Sequence, residues 1–338
     1  MKIGFSIYLS TELEKNKDII LKAKKYGSEF VFTSLNVQEE DVDKEKQINE
    51  IIELCLENDL KLIVDINGNS KNILKTNKNV YYRIDDGYTL DEIIDFSKNN
   101  KVVLNSSVLS EKDLEYMKSK KVDFTNILSL HNFYPKKYTG ISLEFLKEQN
   151  RKYSNYGILN MAFISGDEKR GPVFEGLPTL EEHRNKRILT SALELFNNDT
   201  DVVLVGDIDL KEENWKELEY LTKGIIPLRI SKKVLINKIF EDRIDSSDYV
   251  VRNMVHDRKE FEKYIFENIN RDELISGEEI EIGDVLVSNE MYKRYSGELE
   301  IALKKLGIDE KRDKLTKIIC EDLELLKYIK KYKKFVFI

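Results

Sequence analysis

Cysteine is almost absent from this chain: Cys55 and Cys320 are the only two in 338 residues. That excludes a disulfide-stapled secreted scaffold, and both thiols read as core or near-core groups rather than as a redox pair. Proline (4 residues) and glycine (15) are also sparse, which leaves little room for disordered or low-complexity tracts. No apolar run is long enough to cross a bilayer. The opening Met1-Lys2 leads straight into Ile3-Gly4-Phe5-Ser6-Ile7-Tyr8, strand-like and too short for the apolar part of a signal peptide. The expectation is a cytoplasmic protein. Histidine is scarce too: His131, His183 and His256 are too scattered to show metal-ligand spacing. No zinc motif, P-loop or G-x-S-x-G elbow occurs, so neither a metal nor another cofactor is expected. Lys and Arg (55) fall short of Asp and Glu (62), for a net charge of −7. No global basic field draws the chain to nucleic acid or to a membrane surface.

What the chain does contain is a regular alternation. Hydrophobic residues make up 41%, ample for packed cores, and the length favours two domains. Strands are expected at Ile3–Leu9, Phe30–Leu35, Lys61–Ile66, Tyr81–Asp85, Val102–Asn105, Phe124–Leu130, Leu159–Ile164 and Asp201–Gly206. Helices separate them, among them an acidic one over about Asp43–Asn58 and a long one opening at Thr179-x-x-Glu182. Thr89-x-x-Glu92 and Ser110-x-x-Asp113 read as capping boxes. Several strands are continuous apolar runs, the mark of parallel strands buried on both faces. Eight strand–helix units in roughly 225 residues match a (β/α)8 TIM-type barrel. The competing doubly wound sheet usually carries a glycine-rich first turn, and Leu9-Ser10-Thr11-Glu12 has none.

Past Gly224 the rhythm changes to short β-branched stretches at Tyr249–Arg252, Glu278–Ile282, Asp284–Ser288, Glu298–Ala302 and Lys334–Ile338, interrupted by one helix near Cys320–Ile329. The expected division is therefore a barrel over residues 1–226 and a small β-rich domain over 227–338. The Lys330–Lys334 run reads as a solvated rim of the last strand.

Active sites of such barrels lie at the C-terminal strand ends. There the chain places Asp65, Arg83 with Asp85, Asn105-Ser106-Ser107, Ser165-Gly166-Asp167 and Gly206-Asp207. One carboxylate at a strand end is an ordinary helix cap. Several around one mouth push one another's pKa values apart and can divide acid from base work. Lys61 and Lys101 stand at strand starts, which argues against a Schiff-base aldolase.

Two loops carry three of the four prolines: His131-Asn132-Phe133-Tyr134-Pro135, running on to Gly140, and residues 165–178 from Ser165 to Pro178. Aromatic walls beside hydrogen-bonding groups suit a sugar, and Lys169 with Arg170 offers an anion seat.

At these loops the chain resembles the MupG-type 6-phospho-N-acetylmuramidases. The resemblance rests on Gly4–Ser10, Phe32–Leu35, Arg83-Ile84-Asp85, His131–Pro135 with Thr139-Gly140, and Arg170–Glu181 with His183-Arg184. Gly206-Asp207 and Tyr292-x-Arg294-Tyr295-x-Gly297-Glu298 complete it. The chain departs from the family pattern at Asp65-Ile66-Asn67-Gly68, where a Ser/Asn-Pro turn is usual, at Ser129-Leu130, and at Lys136, where arginine is usual.

Membership would imply a barrel followed by a cyclophilin-like β domain. It would also imply cleavage of N-acetylmuramic acid 6-phosphate from N-acetylglucosamine during peptidoglycan recycling in bacteria. The partner would be that phosphorylated disaccharide; the oligomeric state is left open.

Glycoside hydrolysis needs one carboxyl group to protonate the leaving oxygen and a second group to attack or to activate water. Asp85, Glu175 and Asp207 are the catalytic candidates: Asp207, held at a strand end, is taken as one of the pair and Asp85 or Glu175 as the other, with Asp65 and Asp167 as substrate-binding groups in reserve. The substrate's own acetamido group is a further possible nucleophile. Arg83, Asn105, His131, Asn132, Tyr134, Arg170 and Arg184 are expected sugar or phosphate contacts, and Arg252 and Arg294 are assigned the same part from the second domain. Two rivals predict differently: a metal-dependent phosphosugar isomerase using Asp65, Asp85, His131 and Asp207 would be stopped by a chelator, and a phosphosugar sensor would bind without turnover.

Overall fold

The computed structural model describes residues 1–36, 44–68, 77–85 and 87–338. The chain divides into two compact units, Met1–Thr222 and Lys223–Ile338.

In the first unit eight parallel strands close into a barrel in the order β1 to β8. They are β1 (Lys2–Ser6), β2 (Phe30–Ser34), β3 (Lys61–Ile66), β4 (Tyr81–Ile84), β5 (Lys101–Asn105), β6 (Ile127–Leu130), β7 (Leu159–Ile164) and β8 (Val202–Val205). Strand β1 closes the ring by pairing with β8, Gly4 against Leu204. Helices alternate with the strands: α1 (Leu13–Lys25), α2 (Lys44–Glu57), α3 (Leu90–Ser97), α4 (Glu111–Ser119), α5 (Leu143–Ser154), α6 (Ile188–Asn197) and α7 (Glu212–Thr222). The expected (β/α)8 barrel is thus observed, with strands trimmed by a residue or more at several ends. The expected start of the second helix, Asp43, lies outside the described residues. Among those described, no helix is long and apolar enough to cross a membrane.

Successive side chains of a strand point to opposite faces, and that alternation organises the whole site. Alternate residues Phe30, Phe32, Ile63, Val103, Leu128, Leu130, Met161, Phe163, Val202 and Leu204 fill the lumen. Each such burial is worth roughly 1.5–3 kcal/mol over exposure. Gly4 supplies the room this packing needs, because a Cβ there would meet Leu204 Cδ2 at 2.3 Å and Phe30 Cβ at 2.8 Å. The intervening residues face the helices. Ile84, Val102, Leu104 and Ile127 pack with Leu114, Met117 and Tyr153 in a second apolar layer.

Both expected capping boxes form, Thr89 with Glu92 and Ser110 with Asp113. The expected long helix from Thr179 does not. A 3-10 turn covers Glu181–His183, and α6 begins only at Ile188. The Thr179 hydroxyl is engaged instead by the neighbouring loop, donating to Asn132 O at 2.9 Å and accepting from Phe163 N at 2.9 Å. Phe124–Asn126 is likewise a 3-10 turn ahead of β6 rather than part of it.

The second unit holds a three-stranded sheet, a four-stranded antiparallel sheet and a two-stranded one. Strand β9 (Ile225–Leu228) pairs in parallel with β17 (Lys334–Phe337), which also takes β10 (Ile239–Glu241). The larger sheet runs β11 (Val250–Arg252), β14 (Leu299–Ala302), β13 (Asp284–Ser288), β16 (Arg312–Lys317). Strands β12 (Glu279–Ile280) and β15 (Gly307–Ile308) form the small one. The β-rich character expected here is observed. Helix α8 (Arg258–Glu267), capped by Asp257, and strand β16 have no counterpart in the sequence reading, because their polar faces hide the apolar period. The helix expected at Cys320–Ile329 is a 3-10 stretch, Cys320–Leu325, followed by α9 (Leu326–Tyr332). The lysine run is not only a solvated rim, since Lys330 and Lys333 lie 3.5 and 3.4 Å from the buried carboxylate of Asp242. Cys55 is buried as expected and burial pushes its thiol up to about 12, but Cys320 is exposed.

Candidate active site

Continuing the lumen alternation past the last apolar layer names the residues that face the barrel mouth. Strand β2 runs Phe30, Phe32, then Ser34 and Asn36. Strand β3 runs Ile63, then Asp65; β4 runs Tyr81, then Arg83 and Asp85; β5 runs Val103, then Asn105; β6 runs Leu128, Leu130, then Asn132. These polar ends join in one hydrogen-bonded network.

Arg83 is its centre. Nη1 donates to Asp65 Oδ1 at 2.6 Å and to Asp85 Oδ1 at 3.1 Å, and Nη2 donates to Asn132 Oδ1. Asn105 Nδ2 donates to Asp85 Oδ1 at 3.0 Å and to Asn132 Oδ1 at 3.2 Å. Asp65 is held from its other side by Ser34 Oγ at 2.9 Å and Asn36 Nδ2 at 3.0 Å, both on Oδ2. The hydrogen bonds to its carboxyl oxygens are donated by Ser34, Asn36 and Arg83. Burial pushes its carboxyl up from the ordinary value and Arg83 opposes that push. Burial also works against the charge on Arg83, but Asp65 and Asp85 outweigh it and raise the guanidinium further.

Asp65, Arg83 and Asn105 are buried, whereas the Asp85 side chain keeps 38% of its surface exposed. Two donors fix its Oδ1, and the carboxylate is presented at the mouth with a cation beside it. A second half-exposed carboxylate, Glu175, stands on the loop after β7, 2.7 Å from Lys137 Nζ. The floor of the mouth is aromatic: Phe133 packs edge-on to Phe32 and Phe163 with centroids 6.3 and 5.1 Å away.

Four sequence candidates lie elsewhere, and alternation explains two of them. His131 falls on the outward parity of β6, opposite in phase to Leu130 and Asn132. It is fully buried toward α5, with Nε2 3.0 Å from Asn150 Oδ1, and burial lowers its pKa to about 4. It is a neutral core imidazole rather than a mouth residue. Asp207 falls on the outward parity of β8, since Val202 and Leu204 point inward. It is fully buried, with Oδ1 accepting from Arg170 N and Oδ2 from Gly166 N and Leu177 N, at 2.9–3.2 Å. Its carboxylate pins the 165–178 loop. Asp167 accepts from Lys211 N and Asn214 Nδ2 at the start of α7, at 2.7 and 2.8 Å. Arg184 is buried as a clamp between the two loops, donating to Glu181 and to the carbonyls of Lys136, Glu175 and Gly176.

Arg170 stays at the mouth, its guanidinium 4.1 Å from the ring centre of Tyr8, and Tyr134 is half-buried there with its amide on Pro178 O. Arg252 and Arg294 belong to the second unit, where Arg252 forms a two-pronged pair with Glu298.

Sequence reasoning missed Ser34, Asn36, Tyr8 and Glu181. The first two are visible in the phase set by Phe30 and Phe32. The Tyr8 hydroxyl donates to Gly206 O. Glu181 joins the loops from the acidic side: it accepts from Tyr138 N, Gly140 N and Arg184, and the Arg184 hydrogen bonds lower its pKa to about 2. Its place in the Arg170–Glu181 segment that carries the family resemblance marks it in the sequence, but not its role. Among the described residues no three His, Cys, Asp or Glu side chains gather as a metal site.

Two family models match the chain. One, described as 6-phospho-N-acetylmuramidase, N-terminal, spans residues 3–220, and the other, described as the C-terminal part, spans 227–338. Among solved structures, a conserved Enterococcus faecalis protein of unknown function is 26% identical with a TM-score of 0.78, over 100% of this chain and 96% of that one. An uncharacterised B. cereus protein is 25% identical with a TM-score of 0.75, over 100% and 99%. No curated protein matches the chain.

Proposed function

Because this chain belongs to the 6-phospho-N-acetylmuramidase family, and is thus a glycosidase, we propose that it releases N-acetylmuramic acid 6-phosphate from N-acetylglucosamine. The setting is the recycling of peptidoglycan fragments in a bacterial cytoplasm. The barrel, read as residues 1–226, is the catalytic domain, and residues 227–338 are read as cyclophilin-like.

The observation that carries the reading is the state of Asp85. It is an accessible carboxylate on a rigid strand end, oriented by Arg83 and Asn105 through Oδ1. In the proposal its Oδ2 meets the reacting sugar. With the Arg83 cation beside it, Asp85 serves as the anionic partner, either on the anomeric carbon or steadying the substrate's acetamido group. Glu175 is the carboxyl that meets the leaving oxygen. Its exposed pair with Lys137 has to open for that, at a cost of about 1 kcal/mol or less. Asn105, Asn132 and Tyr134 supply sugar contacts, Phe133 the apolar floor, and Arg170 an anion contact. Asp65 and Arg83 hold Asp85 rather than react, and Asp207 holds the loop that carries Arg170 and Glu175.

The isomerase reading lacks its ligand set: His131 and Asp207 face away from the mouth that Asp65 and Asp85 share. The test is incubation with the β-1,4-linked phosphorylated disaccharide, with and without EDTA, followed by mass spectrometry. Release of both sugars, indifferent to EDTA and lost in Asp85→Asn, is expected. Binding without cleavage would favour a sensor instead.

A further inference from the structure

The second unit gathers arginines around a single tyrosine. Arg252, Arg258 and Arg294 place their guanidinium carbons 5.6, 4.8 and 4.7 Å from the ring centre of Tyr295. A pocket beside that ring is lined by Arg243, Arg258, Arg294, Tyr295, Ser296 and the carboxylate of Glu298, among others.

The local charge balance is uneven. Arg243 is neutralised by Asp245, through Nε and Nη2 at 2.8 and 3.0 Å. Arg252 is neutralised by Glu298, at 2.9 and 3.1 Å. Asp257 is engaged in capping α8 through Lys259 N and Glu260 N. Arg258 and Arg294 have no carboxylate among the described residues: Arg258 donates to Arg294 O at 3.3 Å and Arg294 to Tyr295 Oη at 2.6 Å. Two uncompensated guanidinium groups therefore stack on one ring, and both are solvent-exposed. An independent feature points the same way. The Ser296 hydroxyl, in the wall of the pocket, is buried and has no hydrogen-bond partner among the described residues.

Like charges held together repel, and a bound anion relieves that repulsion while accepting the forked N–H donors that guanidinium offers. An excess of two positive charges matches a phosphomonoester, which carries about −1.5 to −2 at neutral pH, better than a carboxylate. We propose that Arg258 and Arg294, with the Ser296 hydroxyl, form a phosphate-binding site in the second unit. The ring of Tyr295 orients the two guanidinium groups by stacking. The site is built from residues of the second unit alone, and its existence does not depend on which glycoside the barrel cleaves. Its ligand is a phosphate monoester or free phosphate, chemically alike at the two guanidinium groups.

The test uses the full chain and an arginine-specific reagent, phenylglyoxal, with modification read residue by residue through peptide mass spectrometry. Inorganic phosphate is the probe, and acetate and chloride at equal ionic strength are controls. At phosphate about ten times its dissociation constant, mass action leaves about a tenth of the sites empty, so Arg258 and Arg294 should react about tenfold more slowly. Acetate and chloride should leave both rates as they were. Arg294→Gln should remove the protection of Arg258, Arg258→Gln that of Arg294, and Asp85→Asn should leave both intact. Protection by N-acetylmuramic acid 6-phosphate at much lower concentration than by inorganic phosphate would identify a sugar phosphate as ligand. Equal protection would identify free phosphate. Unchanged rates with phosphate, or equal slowing by chloride, would overturn the proposal.

Discussion

Arg83 Nη1 lies 2.6 Å from Oδ1 of the buried Asp65, and the same nitrogen reaches the accessible Asp85 at 3.1 Å. A sealed ion pair thereby steers an exposed carboxylate. Removing one partner of such a pair strands the other charge in the protein, which typically costs about 3–5 kcal/mol. Arg83→Ala should therefore lose stability on that scale in urea unfolding, and Arg83→Lys should lose activity even if it folds, because an ammonium lacks the fork that reaches Asp65, Asp85 and Asn132 together. An unchanged unfolding midpoint in Arg83→Ala would rule out the structural part of this account.

Asp85→Asn keeps the shape and the Oδ1 acceptor but removes the negative charge. The expected result is a fall in kcat of about 10²- to 10⁴-fold with a stability change of about 1 kcal/mol or less. A variant that retains most of its turnover would remove Asp85 from the chemistry.

Asp207→Asn should behave in the opposite way. The amide nitrogen would face backbone N–H groups of Gly166, Leu177 or Arg170, leaving donors unpaired at about 1–3 kcal/mol. A lowered Tm and faster proteolysis within residues 165–178 are expected. An abolished kcat at unaltered Tm and protease resistance would return Asp207 to the catalytic group.

Glu181 makes the two loops acid-sensitive. Its pKa is lowered to about 2 from an ordinary 4.5, chiefly by Arg184. A depressed carboxyl contributes fully above the unfolded value and loses that contribution as pH falls from about 4.5 toward 2. The part is about 1–2 kcal/mol once solvent screening is counted. Glu181→Gln should be less stable at pH 7 and show a flatter stability profile over that window; parallel profiles for the two proteins would count against the clamp.

His131 predicts a second acid limb at higher pH. Its folded pKa is lowered to about 4 from 6.5 by burial, so the unfolded chain takes up the proton first. Stability is fully present above about pH 6.5 and declines toward pH 4, by about 2 kcal/mol at pH 5. Denaturant unfolding at pH 7 and pH 5 measures it, and His131→Gln should reduce the difference. An equal loss in that variant would assign the limb to other groups.

How much of this was legible in the sequence follows from which forces act locally. The capping boxes at Thr89 and Ser110 were readable because their partners lie three residues away. Strands β3 and β7 were readable to the residue because a parallel strand buried on both faces reads as a mostly apolar run, here broken only by Lys61 and Asp65 in β3 and by Asn160 in β7. Helix α8 and strand β16 escaped because half-exposed elements with many charges blur the period. Thr179 looked like a helix cap because its local motif fits one, and a hydrogen bond to Asn132, 47 residues away, took it instead.

The sequence by itself determined the alternation of strands and helices, hence the barrel, and the family to which its loops belong. Periodicity and long joint motifs are properties of the chain order. It also held the phase that sends Asp85 inward and His131 outward, although that phase becomes readable only once the lumen residues are known. The tertiary structure alone decided which carboxylates are sealed and which are presented. Asp65, Asp85 and Asp207 all stand at or just past barrel strand ends, and their fates diverge through contacts made by Ser34, Asn105 and the amides of residues 166, 170 and 177. Burial and hydrogen bonding across the barrel are set by groups distant in sequence, and they separate an accessible carboxylate at the mouth from a sealed one that holds a loop.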